Sequence, residues 1–173
     1  MKEIIDLIDM IIEEHKTFLQ KFQTLDKVAN DVEGIAGLEK AKDVFMPGRH
    51  DFKQGLQKLQ EIADTIDAGL RAHFGREETA LLSAFNQYGD EKQVTAFNSL
   101  LLEHKDLKNR LVVLKNDIAQ LTSGGQSGSI WQASAHDMRA HISHTRKLLQ
   151  AHAQIEQELF RTLRNELTGA GKK

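Results

Sequence analysis

The chain has 173 residues, with 23 Lys and Arg against 25 Asp and Glu, a formal net charge of -2, and no cysteine. That length suits one domain with its own core, and the charge balance offers no basic surplus for a nucleic-acid backbone or an anionic membrane. The missing thiols exclude disulfides, thiolate zinc sites, cysteine-ligated clusters and any Cys nucleophile. A single Pro, 28% charged residues and 6% aromatic residues are the composition of a helical bundle, so a single all-α domain over 1–173 is predicted.

From Met1 to Ile12 apolar residues are interrupted by Lys2, Glu3, Asp6 and Asp9, which makes an amphipathic helix and not a signal peptide. No uncharged apolar run approaches the roughly 18 residues a bilayer span requires, so a soluble, cytoplasmic protein without membrane contact is expected. The first helix is predicted from about Lys2 to Asn30, its buried stripe passing through Ile4, Ile8, Ile11, His15, Phe18, Phe22, Leu25 and Ala29. A long connection, 31–50, follows; within it Leu38–Phe45 can form a short extra helix before Met46-Pro47-Gly48 breaks it.

The second helix is predicted from about Asp51 to Asn86, with Leu56, Leu59, Ala63, Ile66, Leu70, His73, Glu77 and Ala84 on one stripe. Tyr88-Gly89-Asp90 reads as a tight turn, Gly89 stopping one helix and Asp90 capping the next. The third helix, about Glu91 to Leu121, carries Phe97, Leu100, His104, Leu107, Leu111, Leu114 and Ile118. A Gly/Ser-rich stretch, 122–129, is expected to be a flexible loop. The fourth helix, about Ile130 to Leu167, carries Met138, His141, Thr145, Leu148, His152, Glu156, Leu159 and Leu163, ahead of a disordered tail at 168–173. Short connections make neighbouring helices antiparallel, giving an up-down-up-down four-helix bundle.

Each helix places a histidine where its apolar stripe should continue: His15, His73, His104 and His152. One such histidine is ordinarily a hydrogen-bonded core residue; four, one from each helix, point to metal. Helices two and four add a glutamate at the same offset, as His73-x-x-x-Glu77 and His152-x-x-x-Glu156. Four residues turn a helix about 400° and rise about 6 Å, so each pair projects from one face with a chelating spacing. Two uncompensated glutamates in a core cost several kcal/mol each unless a cation lies between them, on the order of magnitude of a buried charge.

Counting along antiparallel helices brings the six to one level. His15 lies 14 residues after Met1 and His104 lies 13 after Glu91, while Glu77 and Glu156 lie 11 before Tyr88 and Leu167. Glu14-His15-Lys16 with His73-x-x-x-Glu77 is echoed by Glu103-His104-Lys105 with His152-x-x-x-Glu156. Two similar hairpins imply an approximate two-fold axis and a pair of metal ions. Each metal receives two His and one oxygen from each bridging Glu, and an added oxo or hydroxo bridge leaves about one position open to a small molecule. Ligand type and nuclearity favour two bridged iron ions, with zinc and manganese as the alternatives.

This constellation, with the strings EEHKTFL, HFGREETALL and LEHKDL, resembles the hemerythrin-like (HHE cation-binding) proteins over essentially the whole chain. The resemblance implies a four-helix bundle around a non-haem di-iron centre with His15, His73, Glu77, His104, His152 and Glu156 as ligands. Oxygen-carrying members place a His four residues after the helix-three His and an Asp five after the helix-four His, where this chain has Lys108 and Gln157. It is more similar to the branch with two His-x-x-x-Glu pairs, linked to nitric oxide and oxidative stress, iron–sulfur repair or iron sensing. Repair-type members add a Cys-containing domain, and this chain has no Cys.

The expected function is therefore a di-iron protein whose open position binds O2, NO or peroxide in sensing, scavenging or stress response. A peroxide-decomposing or NO-reducing di-iron enzyme, and an iron storage or delivery protein, are the alternatives; a metal-free interaction module is the remaining one. No nucleic-acid partner is expected.

Of the other histidines, His50 lies 23 residues before His73, about 35 Å along a continuous helix and out of reach of the site. His141 lies 11 residues, about 16 Å, before His152 and reads as a satisfied boundary histidine. His136 and His144 read as exposed. Glu14, Arg76, Glu78 and Glu103 are most simply solvated charges on helix faces, with partnership to a ligating imidazole as the alternative. Gly75, unfavourable in a helix by about 1 kcal/mol relative to Ala, is expected either to leave room near the metals or to serve packing.

Overall fold

The computed structural model describes residues 1–41, 49–124 and 126–170, with side chains described outside 35–41, 49–52 and 170. Helix α1 spans Lys2–Ala41 and α2 spans Arg49–Arg76. A π-helical segment, Glu77–Leu81, joins α2 to α3, Leu82–Tyr88. Helix α4 spans Glu91–Ser123 and α5 spans Gly128–Ala170. No strand occurs among the described residues.

The four rods of the bundle are α1, the α2–π–α3 run, α4 and α5. Cross-helix contacts fix their directions. Val32 of α1 lies at Gly55 of α2 and Phe18 at Gly69, so α1 and α2 are antiparallel. Asp9 pairs with Arg164 and Glu33 with His136, which runs α1 against α5. Gln93 donates to Glu166 and the Trp131 indole N–H donates to the Leu121 carbonyl, which runs α4 against α5. Lys115 meets Asp67 and Lys108 meets Glu78, setting α4 antiparallel to the second rod. This is the predicted up-down-up-down order.

The boundaries differ from the predicted ones in three places. Helix α1 continues to Ala41, because Val32 extends the buried stripe by a turn beyond Ala29; residues 31–41 are thus helix and not connection. Residues 42–48, with half of the extra helix predicted at Leu38–Phe45 and the Met46-Pro47-Gly48 break, lie outside the described residues, while Arg49 and His50, also predicted as connection, already belong to α2. Of the loop predicted at 122–129, residues 122–123 belong to α4 and 128–129 to α5, and Gly124 after α4 takes φ 74°, a conformation suited to glycine. Helix α5 also runs to Ala170, so 168–170 is helical and 171–173 lies outside the described residues.

Gly89 stops α3 and donates its N–H to the Phe85 carbonyl at 2.8 Å. Asp90 caps α4 as predicted: its carboxylate accepts from the Gln93 N–H while the Gln93 side chain accepts from the Asp90 N–H.

The apolar interior is divided in two. One cluster gathers Phe22, Leu59, Ile66, Leu111, Ile118 and Ile142 with their neighbours. The other gathers Ile8, Ile11, Phe85, Phe97, Phe160 and Leu163. Between them lies a slab of buried polar side chains. No described helix is long and apolar enough to cross a membrane.

Candidate metal centre

Each rod contributes to the polar slab: His15 from α1, His73 from α2 with Glu77 at the first residue of the π segment, His104 from α4, and His152 and Glu156 from α5. None is more than 2% exposed, and both glutamates are fully buried. The structure thus brings together all six residues picked out by the sequence pattern.

Both carboxylates span the slab. Oε1 of Glu77 lies 3.3 Å from His73 Nε2 and 3.8 Å from His15 Nε2, while its Oε2 lies 3.3 Å from His104 Nε2. Oε2 of Glu156 lies 3.2 Å from His15 Nε2, while its Oε1 lies 3.1 Å from His152 Nε2 and 3.5 Å from His104 Nε2. The imidazoles therefore form two pairs, His15 with His73 and His104 with His152, and each glutamate offers one oxygen to each pair. Three of the four Nε2 atoms, those of His15, His104 and His152, and all four carboxylate oxygens are buried without a hydrogen-bond partner. Buried polar atoms are ordinarily satisfied. Seven orphaned donor atoms turned toward one another fit bound cations, and the groups His15–His73–Glu77–Glu156 and His104–His152–Glu156 are compact enough to hold them.

The outward ring nitrogens are supported from the neighbouring rods. Nδ1 of His73 lies 2.8 Å from Oε2 of Glu14, whose other oxygen accepts from Arg76. Nδ1 of His152 lies 2.9 Å from Oε2 of Glu103, and Nδ1 of His104 lies 3.0 Å from Oε1 of Glu78. Such a carboxylate keeps the proton on Nδ1 and turns the Nε2 lone pair inward, as metal ligation requires. His15 is the exception: its Nδ1 meets the side-chain amide of Gln157 at 3.5 Å. Glu14, Glu78 and Glu103 thus each pair with one of these histidines, the alternative to a purely solvated face charge, although Glu103 stays 54% exposed and is solvated as well.

The signal for two of these partners was present in the repeat. In each hairpin the glutamate just before the first histidine, Glu14 or Glu103, supports the second histidine on the adjacent rod. Glu78 lies in the π segment, a helical form frequent at functional sites; Glu77 turns into the core and Glu78 toward His104 and Lys108 of α4.

Phe74, absent from the predicted stripe, stacks on His104 with ring centroids 3.9 Å apart, and Phe18 meets His73 edge-on at 5.3 Å. Gly75 does not make room for metal: a Cβ there would meet nothing within 4 Å. His141 donates through Nε2 to the Arg110 carbonyl at 3.1 Å and is a satisfied boundary residue. His136 is exposed and pairs with Glu33, and His144 is exposed. The side chain of His50 lies outside the described residues.

The electrostatics are those of a site compensated by protons when no cation is present. Burial alone lowers His15, but the carboxylates of Glu156 and Glu77 outweigh it and raise the imidazole to about 9. Burial likewise opposes the charged form of His152, and Glu156 with Glu103 raises it. His73 goes down, because burial outweighs the pull of Glu77. Burial would raise Glu156, yet His104, His15 and His152 hold it well below the ordinary carboxylate value.

The hemerythrin HHE cation binding domain family matches residues 6–163, which takes in all six of these residues. No curated protein and no solved structure matches the chain.

Proposed function

The chain belongs to the hemerythrin HHE cation-binding family, and from that premise we propose that its six buried His and Glu residues hold a carboxylate-bridged pair of iron ions that binds O2, NO or peroxide. The observation that carries the reading is the double reach of the glutamates. Glu77 and Glu156 each direct one oxygen to His15 and the other to His104, an arrangement suited to two ions and wasteful for one.

Iron is favoured by the donor set. Imidazoles and carboxylates without any thiolate suit non-haem iron, and bridging carboxylates inside a helical bundle are the setting of di-iron sites. A bridged iron pair supplies redox chemistry and a coordination position for a small exogenous ligand. The protein supplies orientation, through Glu14, Glu78, Glu103 and Gln157, and a water-poor enclosure between two apolar clusters. With every ligand residue at most 2% exposed, the ligand must be small enough to pass between packed side chains, as diatomic gases and peroxide are. Sensing, scavenging or stress response fits such an enclosed site.

The test is spectroscopic. Iron-loaded protein is expected to show near-ultraviolet and visible bands that shift on adding NO or peroxide. Bands that ignore all three small molecules would overturn the reading while leaving a metal site in place.

A further inference from the structure

Where α2, the π segment and α4 meet at the surface, about one residue outside His104, lies a cavity of about 350 Å³. Arg71 and Glu78 line it from one side, and Leu101, Lys105, Lys108, Asn109 and Val112 from α4. Leu101, Lys105, Lys108 and Val112 recur at intervals of four, three and four, which is one stripe of a helix, with Asn109 beside it. Three cations and one carboxylate therefore face a single hollow in a chain whose net charge is -2.

The cations are not equally compensated. Arg71 Nε donates to Asp67 at 2.8 Å, and Lys108 Nζ donates to Glu78 Oε1 at 2.7 Å. Lys105 is exposed and has no ion-pair partner among the described residues. The hollow is open to solvent and its lining is more polar than apolar, with an unpaired ammonium on its wall and Leu101 and Val112 beside it, which suits a small charged ligand held at the surface.

We propose that this cavity binds a small organic anion, its carboxylate or phosphate group meeting Lys105 and Lys108 and its apolar part lying on Leu101 and Val112. The site has a direct line to the buried centre. Oε1 of Glu78 serves Lys108 and His104 Nδ1 at once, and Lys108 sits 5.6 Å from the centroid of Phe74, the ring stacked on His104. An anion that draws Lys108 toward itself leaves that oxygen to His104 alone, strengthening its hold on Nδ1–H and the donor power of the opposite nitrogen. Occupancy of the cavity is thus transmitted to one half of the metal site by a single carboxylate. Anion binding itself requires no metal, so it stands apart from the iron reading.

The experiment is an NMR titration of the metal-free 173-residue chain at constant ionic strength, with inorganic phosphate in one arm and butyrate in the other. Saturable shifts are expected at Lys105, Lys108 and the His104 ring, with a midpoint on the order of millimolar. Leu101 and Val112 methyl shifts that saturate with butyrate identify a carboxylate with a hydrocarbon tail; saturation with phosphate alone identifies a phosphate group. Lys105→Glu is expected to raise the midpoint about tenfold with an unchanged circular dichroism spectrum. Shifts that grow linearly with both anions, or a midpoint that Lys105→Glu leaves unchanged, would overturn the proposal.

Discussion

Glu78 and Gln157 occupy equivalent places on the two halves of the site. Each follows by one residue a glutamate that spans the polar slab, and each reaches Nδ1 of a histidine on the adjacent rod, Glu78 to His104 and Gln157 to His15. With Glu14 and Glu103 they complete four supports related by the approximate two-fold axis, of which only Gln157 is uncharged. The approach is also the longest of the four, at 3.5 Å.

That asymmetry makes Gln157→Glu an informative change. A carboxylate there would hold the proton on His15 Nδ1 as firmly as its counterparts do on the other rings. The more weakly held metal is expected to bind about tenfold tighter, within the range such supporting groups contribute. Conversely, Glu78→Gln is expected to weaken uptake by about the same factor. Chelator competition measures both; equal affinities for wild type and the two variants would remove the supporting residues from the account.

Protons compete with metal for the same nitrogens, which gives the metal-free protein a distinctive pH dependence. His15 is raised from 6.5 to about 9 on folding, so the stability its proton contributes is fully present below pH 6.5 and is lost as pH rises through about 9. His152 is shifted the same way. Glu156, held well below 4.5, contributes above that value and loses its contribution only in acid. The thermal midpoint of metal-free protein is therefore expected to fall between pH 6.5 and 9, while that of loaded protein stays level because the ligating nitrogens are already deprotonated. A flat profile for the metal-free form contradicts the protonated site.

Two glycines on α2 make opposite predictions. A Cβ at Gly75 meets open space, so Gly75→Ala is expected to stabilise the helix by about 1 kcal/mol without altering metal content. A Cβ at Gly69 lands 2.7 Å from Cε1 of Phe18, whose ring is only 6% exposed and rests against His73. Gly69→Ala is expected to destabilise by about 1–3 kcal/mol, the usual cost of overpacking. Thermal denaturation of the two variants side by side checks the assignment of close approach to Gly69 and not to Gly75.

The six inward residues were legible in the sequence because helical periodicity is strict: a histidine on an apolar stripe is a visible exception, and His-x-x-x-Glu fixes both side chains to one face. Their common level followed from the short connections at Gly89 and 124–127. The supports were harder to read. Glu14, Glu78 and Glu103 lie one position off the stripe, where a charge is ordinarily solvated, and only tertiary proximity gives each its imidazole. The π segment leaves no compositional mark in Glu77-Glu78-Thr79-Ala80-Leu81, none of which is a helix breaker. Helix α1 outran its predicted end because Val32 carries the buried stripe onward past Asn30, and burial there outweighs the stop that Asn30 and Gly34 offer.

The central claim is that Glu77 and Glu156 bridge two metal ions. Metal content per chain, measured with an optical spectrum on aerobically purified wild type, Glu77→Ala and Glu156→Ala, tests it most directly. The account predicts about two irons per chain in the wild type, with the bridged-iron bands and most of the metal lost in both variants. Metal-free wild type, with both variants folding as well or better, would show that the six residues are only a buried polar network, and would contradict it.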